Sequence, residues 1–109
     1  MTVIIIDIAK DFSKYPSGRT QEDGPASGAL FREKHLVPAF TNNDKVIVKL
    51  DGVKGYPSSF TEEAFGGLVR EGFDKNDILA KLTIEFESNA YEGYRDDILL
   101  YIKDATMDE

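Results

Sequence analysis

With 109 residues, an apolar share of 41% and no cysteine, the chain has material for one domain with a real core and none for disulfides or thiolate metal sites. Its 20 acidic and 13 basic residues leave a net charge of −7, which opposes association with phosphate backbones and anionic membranes and argues against nucleic-acid and membrane partners. The longest apolar run, Val3 to Ile6, is closed by Asp7. It falls far short of the ~20 residues of a membrane span, and the N-terminus lacks a signal-peptide pattern, so a cytoplasmic location is expected.

Thr2 to Ile8 is almost continuously apolar and β-branched, the pattern of a central strand covered on both faces. Ser13 to Gly28, rich in Gly, Pro and polar residues, reads as a long loop with a short extended piece around Arg19. Ser27 has the chemistry of an N-cap for a helix whose apolar positions are Leu30, Phe31, Leu36, Val37 and Phe40, and Pro38 is expected to end or kink it. Lys45 to Asp51 alternates as a second strand with Val46, Val48 and Leu50 on one face, stopped by Asp51-Gly52.

A tight loop from Gly52 to Pro57 then leads to Ser58 and Ser59, where a helix begins with Phe60, Ala64, Phe65, Leu68 and Val69 on its apolar face and Gly72 as its stop. Ser59 and Glu62 have the spacing of a capping box, as do Asn89 and Glu92 ahead of a final helix carrying Tyr91, Tyr94, Ile98, Leu99, Tyr101 and Ile102. Between them, a helical turn near Asp74 to Leu79 precedes a third strand in which Leu82, Ile84 and Phe86 alternate with Thr83, Glu85 and Glu87, placing it toward an edge. Strands alternating with helices predict one α/β domain over residues 1–105, with a mostly parallel sheet of about four strands and about three to four helices. The tail over 106–109 is expected to fray.

The most informative segment runs from Val46 to Gly72: strand, sharp turn, two serines, helix. A serine at a helix N-terminus sits where free N–H groups and the positive end of the helix dipole favour an anion or a phosphorylated side chain, and the same serines can simply cap the helix. Gly66 and Gly67 lie mid-helix, where each costs ~1 kcal/mol unless close packing or a bare docking surface requires it. Arg19, Arg32 and Arg70 suit bidentate contact with carboxylate or phosphate, Arg19 and Arg32 as part of an anion site with Ser58 and Ser59, or all three in ordinary ion pairs. A Ser-His-Asp set from Ser58 or Ser59, His35 and Asp51 has no supporting spacing, no hydrolase elbow, phosphate loop or metalloprotease motif is present, and the expectation is a protein without catalysis, cofactor or metal.

Gly18-Arg19, Asp23-Gly24-Pro25 with Ser27-Gly28, Phe31-Arg32-Glu33, Leu50-Asp51-Gly52, Tyr56 and Ser58-Ser59-Phe60 with Glu62 to Arg70 together resemble the STAS-like domain of unknown function. The resemblance covers roughly residues 3–75 and implies kinship with STAS domains, the modules of sulfate-transporter tails and of anti-sigma factor antagonists. In the antagonists a histidine-kinase-like ATPase phosphorylates a serine at the start of a helix and thereby switches partner binding in bacterial-type signalling. The matching position here is Ser58, although the antagonists read Asp-Ser-Ser-Gly where this chain reads Pro57-Ser58-Ser59-Phe60. The expected function is therefore a regulatory protein-interaction domain with a phosphoserine switch, its partner face formed by Tyr56, Ser58, Ser59, Phe60, Glu62, Gly66, Gly67 and Arg70. The alternative is a small anion- or nucleotide-sensing domain using the same helix N-terminus with Arg19 and Arg32.

Overall fold

The computed structural model describes residues 1–107. Strand β1 (Val3–Asp7) runs into a single helical turn, α1 (Ile8–Asp11), capped by the Asp7 side chain, which accepts from the Lys10 N–H. Helix α2 spans residues 28–42 and contains a π turn at Arg32–Leu36. Strand β2 (Lys45–Lys49) follows, then helix α3 over residues 58–70, with a second π turn at Glu62–Gly66. Helix α4 (Lys75–Lys81), strand β3 (Leu82–Glu85) and helix α5 (Glu92–Asp104) complete the chain. The expected fraying of residues 106–109 falls partly on positions 108 and 109, outside the described residues.

The sheet has three strands in the order β1-β2-β3, all parallel, so among the described residues it is one strand smaller than the pattern predicted. Right-handed crossovers between consecutive neighbouring strands carry every connecting helix to the same face of the sheet. Burial follows that geometry. Ile6, Val46 and Val48 are buried and Ile4, Leu82 and Ile84 pack against the core, whereas Val3 and Ile5 on the opposite face are 50% and 54% exposed. β1 is therefore an edge strand with one open face, and not the central, doubly covered strand that its unbroken apolar run predicts. The central position belongs to β2, which is likewise covered on one face alone. β3 is an edge, as its alternation required.

Several local expectations hold. Ser27 caps α2 by accepting from the Leu30 N–H at 3.2 Å, and Gly72 follows α3 at φ 109°, a conformation that favours glycine. Pro38 does not end its helix. It follows the π turn directly, where the wider turn accommodates a residue without an N–H, and the helix runs on to Asn42. The final helix begins at Glu92, because Asn89–Tyr91 forms a separate 3-10 turn capped by Ser88 and not by the predicted Asn89–Glu92 box.

The long loop is tied down, and a 3-10 turn at Gln21–Asp23 stands where an extended piece was expected near Arg19. The Asp23 carboxylate accepts from the N–H groups of Arg19 (2.9 Å) and Thr20 (3.3 Å), which hold its pKa below the usual range, Arg19 contributing most. Further bonds run from Ser17 N–H to the Ala26 carbonyl and from Gly28 N–H to the Gly18 carbonyl, each 2.9 Å.

Candidate functional site

The segment between β2 and α3 is anchored from below. Gly52 turns the chain at φ 91°, Tyr56 is buried and donates its hydroxyl to the Leu50 carbonyl at 2.8 Å, and burial pushes its phenol pKa well up. The Tyr56 ring stands edge-on to Tyr94 (5.2 Å between centroids) and 6.3 Å from Phe60, itself fully buried beneath the start of α3. Asp51 accepts from the N–H groups of Glu87 and Ser88 at 2.9–3.2 Å, so the turn after β2 is also fastened to the chain leaving β3.

Above this floor the serines are placed differently from the capping prediction. Pro57 occupies the N-cap position of α3 with no side-chain cap, and Ser58 and Ser59 are its first two helical residues. The Ser59–Glu62 capping box does not form, because Ser59 lies inside the helix and its hydroxyl cannot curl back to the N–H groups of that turn. Ser58 is exposed and Ser59 half-buried.

Glu62 turns instead into a cluster of carboxylates and arginines. Arg70 donates to it at 2.8 and 3.1 Å and Arg19 at 2.6 Å, and these bonds, Arg70's foremost, hold its carboxyl below the usual range. Arg19 also lies 3.5 Å from Glu63, and its own pKa is raised, first by the Glu62 hydrogen bond. Arg32 reaches across from α2: its Nη1 meets Glu63 Oε2 at 3.0 Å and donates to the Glu63 carbonyl, while Nε donates to Glu71. Arg19 and Arg32 thus serve this cluster and are not drawn to the serine turn as the anion-site expectation required.

The cluster also accounts for the glycine pair. A Cβ on Gly66 would stand 2.6 Å from Glu62 Oε2, and one on Gly67 would stand 2.1 Å from Arg32 Nη1. Both glycines are buried, bare for arginine and glutamate side chains of the same chain. Tyr56, Phe60, Gly66 and Gly67 consequently lie inside the fold, and of the residues expected at the partner face Ser58 is the one that is exposed, Ser59, Glu62 and Arg70 being half-buried.

A shallow groove of about 480 Å³ that sequence reasoning missed borders the serine turn, lined by Tyr15, Pro16, Lys54, Pro57 and Tyr94. It forms because the long loop is laced to the turn by a 2.9 Å bond from Lys54 N–H to the Lys14 carbonyl, a pairing without a local signal. A larger groove of about 670 Å³ opens where the strands end, among Asp7, Lys49, Asp51, Glu85 and Arg95. Ligands favour that end of open α/β sheets where the strand order reverses, and this sheet has no reversal.

His35 takes no part in a catalytic set. Its ring lies 5.8 Å from Phe12 and 5.6 Å from Phe31, and its Nε2 is buried without a hydrogen-bond partner among the described residues. Burial, with a smaller contribution from Lys34, pushes its pKa down. The folded chain therefore binds this proton less readily than the unfolded chain. The resulting stability is intact above the ordinary imidazole range and is lost as pH falls through it. Urea denaturation at about pH 7.5 and about pH 5.5 should show a lower midpoint at the acid value, and His35→Phe should flatten that difference. An unchanged pH slope in the variant would assign the effect elsewhere.

The motif from Ser27 through Glu92 thus reads as one connected scaffold, and a family model described as a STAS-like domain of unknown function matches residues 27–92. The chain belongs to that family. No curated protein and no solved structure matches it. In this STAS-like domain Ser27 caps, Gly28 admits α3, Arg32 pins α3 from the side, and Tyr56 ties the turn to β2. No helix among the described residues is long and apolar enough to cross a membrane, and no group of three His, Asp or Glu side chains comes together there as a metal site.

Proposed function

We propose that this STAS-like domain is a non-catalytic regulatory module that binds a protein partner through the start of α3, with Ser58 as the switch position. The observation that carries this reading is that nearly every motif residue has a structural task, while Ser58 is exposed at the head of a helix that no side chain caps. The adjoining groove, with Tyr15 69% exposed, supplies aromatic surface of the kind that anchors protein interfaces.

The electrostatics support a phosphoserine there. The helix dipole favours a dianion at Ser58, and repulsion from Glu62 and Glu63 one turn on is offset because both carboxylates are neutralised by Arg19, Arg32 and Arg70. The partner and modifying enzyme implied by kinship with the antagonists is a histidine-kinase-like ATPase domain of the same cell. Titration calorimetry with that domain should give a complex whose dissociation constant differs at least roughly tenfold between Ser58→Asp and Ser58→Ala. Equal binding by both variants and the parent would remove the switch, and absence of any complex would remove the partner. The anion-sensor alternative draws no support from Arg19 or Arg32, both of which are engaged by carboxylates.

A further inference from the structure

The two edges of the sheet are built differently. Along β3 every second residue is exposed, Thr83 and Glu85, and Glu87 follows, so that edge carries the charge that discourages pairing with another strand. β1 offers no such guard: Val3, Ile4, Ile5 and Ile6 pass before the first charge, Asp7. Its backbone is also oriented for pairing. The Thr2 carbonyl accepts from the N–H groups of Asp44 and Lys45 at 3.0 Å, on the β2 side. Peptide groups alternate sides along a strand, so those of Val3 and Ile5 face the free edge. Asp7, next in that series, spends its N–H on Asp11 Oδ2 at 2.8 Å, which marks where the free stretch ends.

We propose that a second copy of this chain pairs with β1 in antiparallel fashion about a two-fold axis at Ile5, joining two three-stranded sheets into one of six strands. The register supplies the complementarity. Ile5 lies beside Ile47, Val3 beside Lys45 and Asp7 beside Lys49. With Ile5 opposite its copy, the open face gains an unbroken row of four isoleucines, Ile47 and Ile5 from each chain. Val3 then stands opposite the second copy's Asp7, about 10 Å across two strand spacings from Lys45 and within reach of that long side chain. The pair occurs twice by symmetry.

Stacking the open faces on each other is disfavoured by the same charges. A two-fold axis in the sheet plane through Ile47, running along or across β2, sets Lys45 against Lys45 or Lys49 of the second copy, like over like. Edge pairing instead brings Lys45 a carboxylate, Asp7 of the second copy.

Sedimentation of the full chain tests this. The parent should show a concentration-dependent dimer of twice the chain mass. The chain has no cysteine, so Ile5→Cys introduces a single thiol, and residues opposite in such a pair have Cα atoms about 5.5 Å apart, within disulfide range. Mild oxidation should cross-link Ile5→Cys and leave Thr83→Cys, on the guarded edge of the same face, without a disulfide. Ile5→Lys, at an exposed position, should weaken the dimer at least roughly tenfold with unchanged circular dichroism. A parent that is monomeric at every concentration, equal cross-linking of the two cysteine variants, or a dimer indifferent to Ile5→Lys would each overturn the proposal. Ser58→Ala should leave the dimer intact, which keeps this outcome separate from that of the switch.

Discussion

Arg32→Ala is expected to lower folding stability by about 3 kcal/mol, toward the low end of what removing one partner from a buried ion pair costs. The Arg32 side chain is only 10% exposed and bonds Glu63 and Glu71 together with a backbone carbonyl of α3. The low end applies because Glu63 keeps Arg19 at 3.5 Å and Arg70 at 3.9 Å, and Glu71, 41% exposed, can rehydrate. The sharper test is its coupling to Gly67, whose added Cβ would fall 2.1 Å from Arg32 Nη1 and 2.7 Å from its Cζ. In the parent, Gly67→Ala should destabilise, since three bonds hold the guanidinium where the methyl must go. With Arg32 already truncated, the same change should stabilise by up to ~1 kcal/mol through helix propensity alone. A double-mutant cycle read by urea denaturation measures this reversal of sign. If Gly67→Ala costs the same in both backgrounds, the guanidinium does not lie over that glycine.

Gly28→Ala is expected to cost about 3 kcal/mol, at the upper end of overpacking penalties. The new methyl would stand 2.5 Å from the Phe60 carbonyl oxygen, 2.9 Å from Glu63 Cβ and 3.0 Å from Ala64 N, and two of these are backbone atoms that cannot rotate aside. α2 would have to lift away from α3, carrying Phe31 and Arg32 with it. For a chain of this size the melting temperature should fall by roughly 12–24 °C. Gly93→Ala in α5 is the control, because nothing lies within 4 Å of its added Cβ, and it should stabilise by up to ~1 kcal/mol. Equal losses at both positions would mean that the two helices do not approach through Gly28.

These two expectations concern the frame that holds the serine turn, and they bear on function through position. α3 starts where it does because Tyr56 and Phe60 fix its floor and Arg32 pins its second turn from α2. If α3 binds a partner as proposed, variants that loosen Gly28 or Arg32 should weaken that binding along with stability, whereas Ser58 variants should change binding alone. That separation distinguishes a residue that acts on the partner from one that places it.

Much of the fold was legible because it is local. The alternation of Val46, Val48 and Leu50, the Ser27 cap, the stop at Gly72 and the wet face of β3 each follow from a period or a backbone preference expressed within a few residues. The grouped motifs from Ser27 to Arg70 likewise carried the family. What sequence alone could not decide depended on partners distant along the chain. Val3 to Ile6 has the composition of a doubly covered strand, yet one face stays open: parallel neighbours in the order β1-β2-β3, joined in the right-handed sense that such connections favour, carry their helices to the other side. Gly66 and Gly67 are bare for the Arg32 and Arg70 clusters, and Arg32 sits 31 residues from the Glu63 that it holds. The role of Ser59 turned on two residues of helix register, with Pro57 and not a serine at the N-cap. A short-range pattern specifies which face of an element is apolar, but only the packed chain settles what meets that face and which ions remain for a partner.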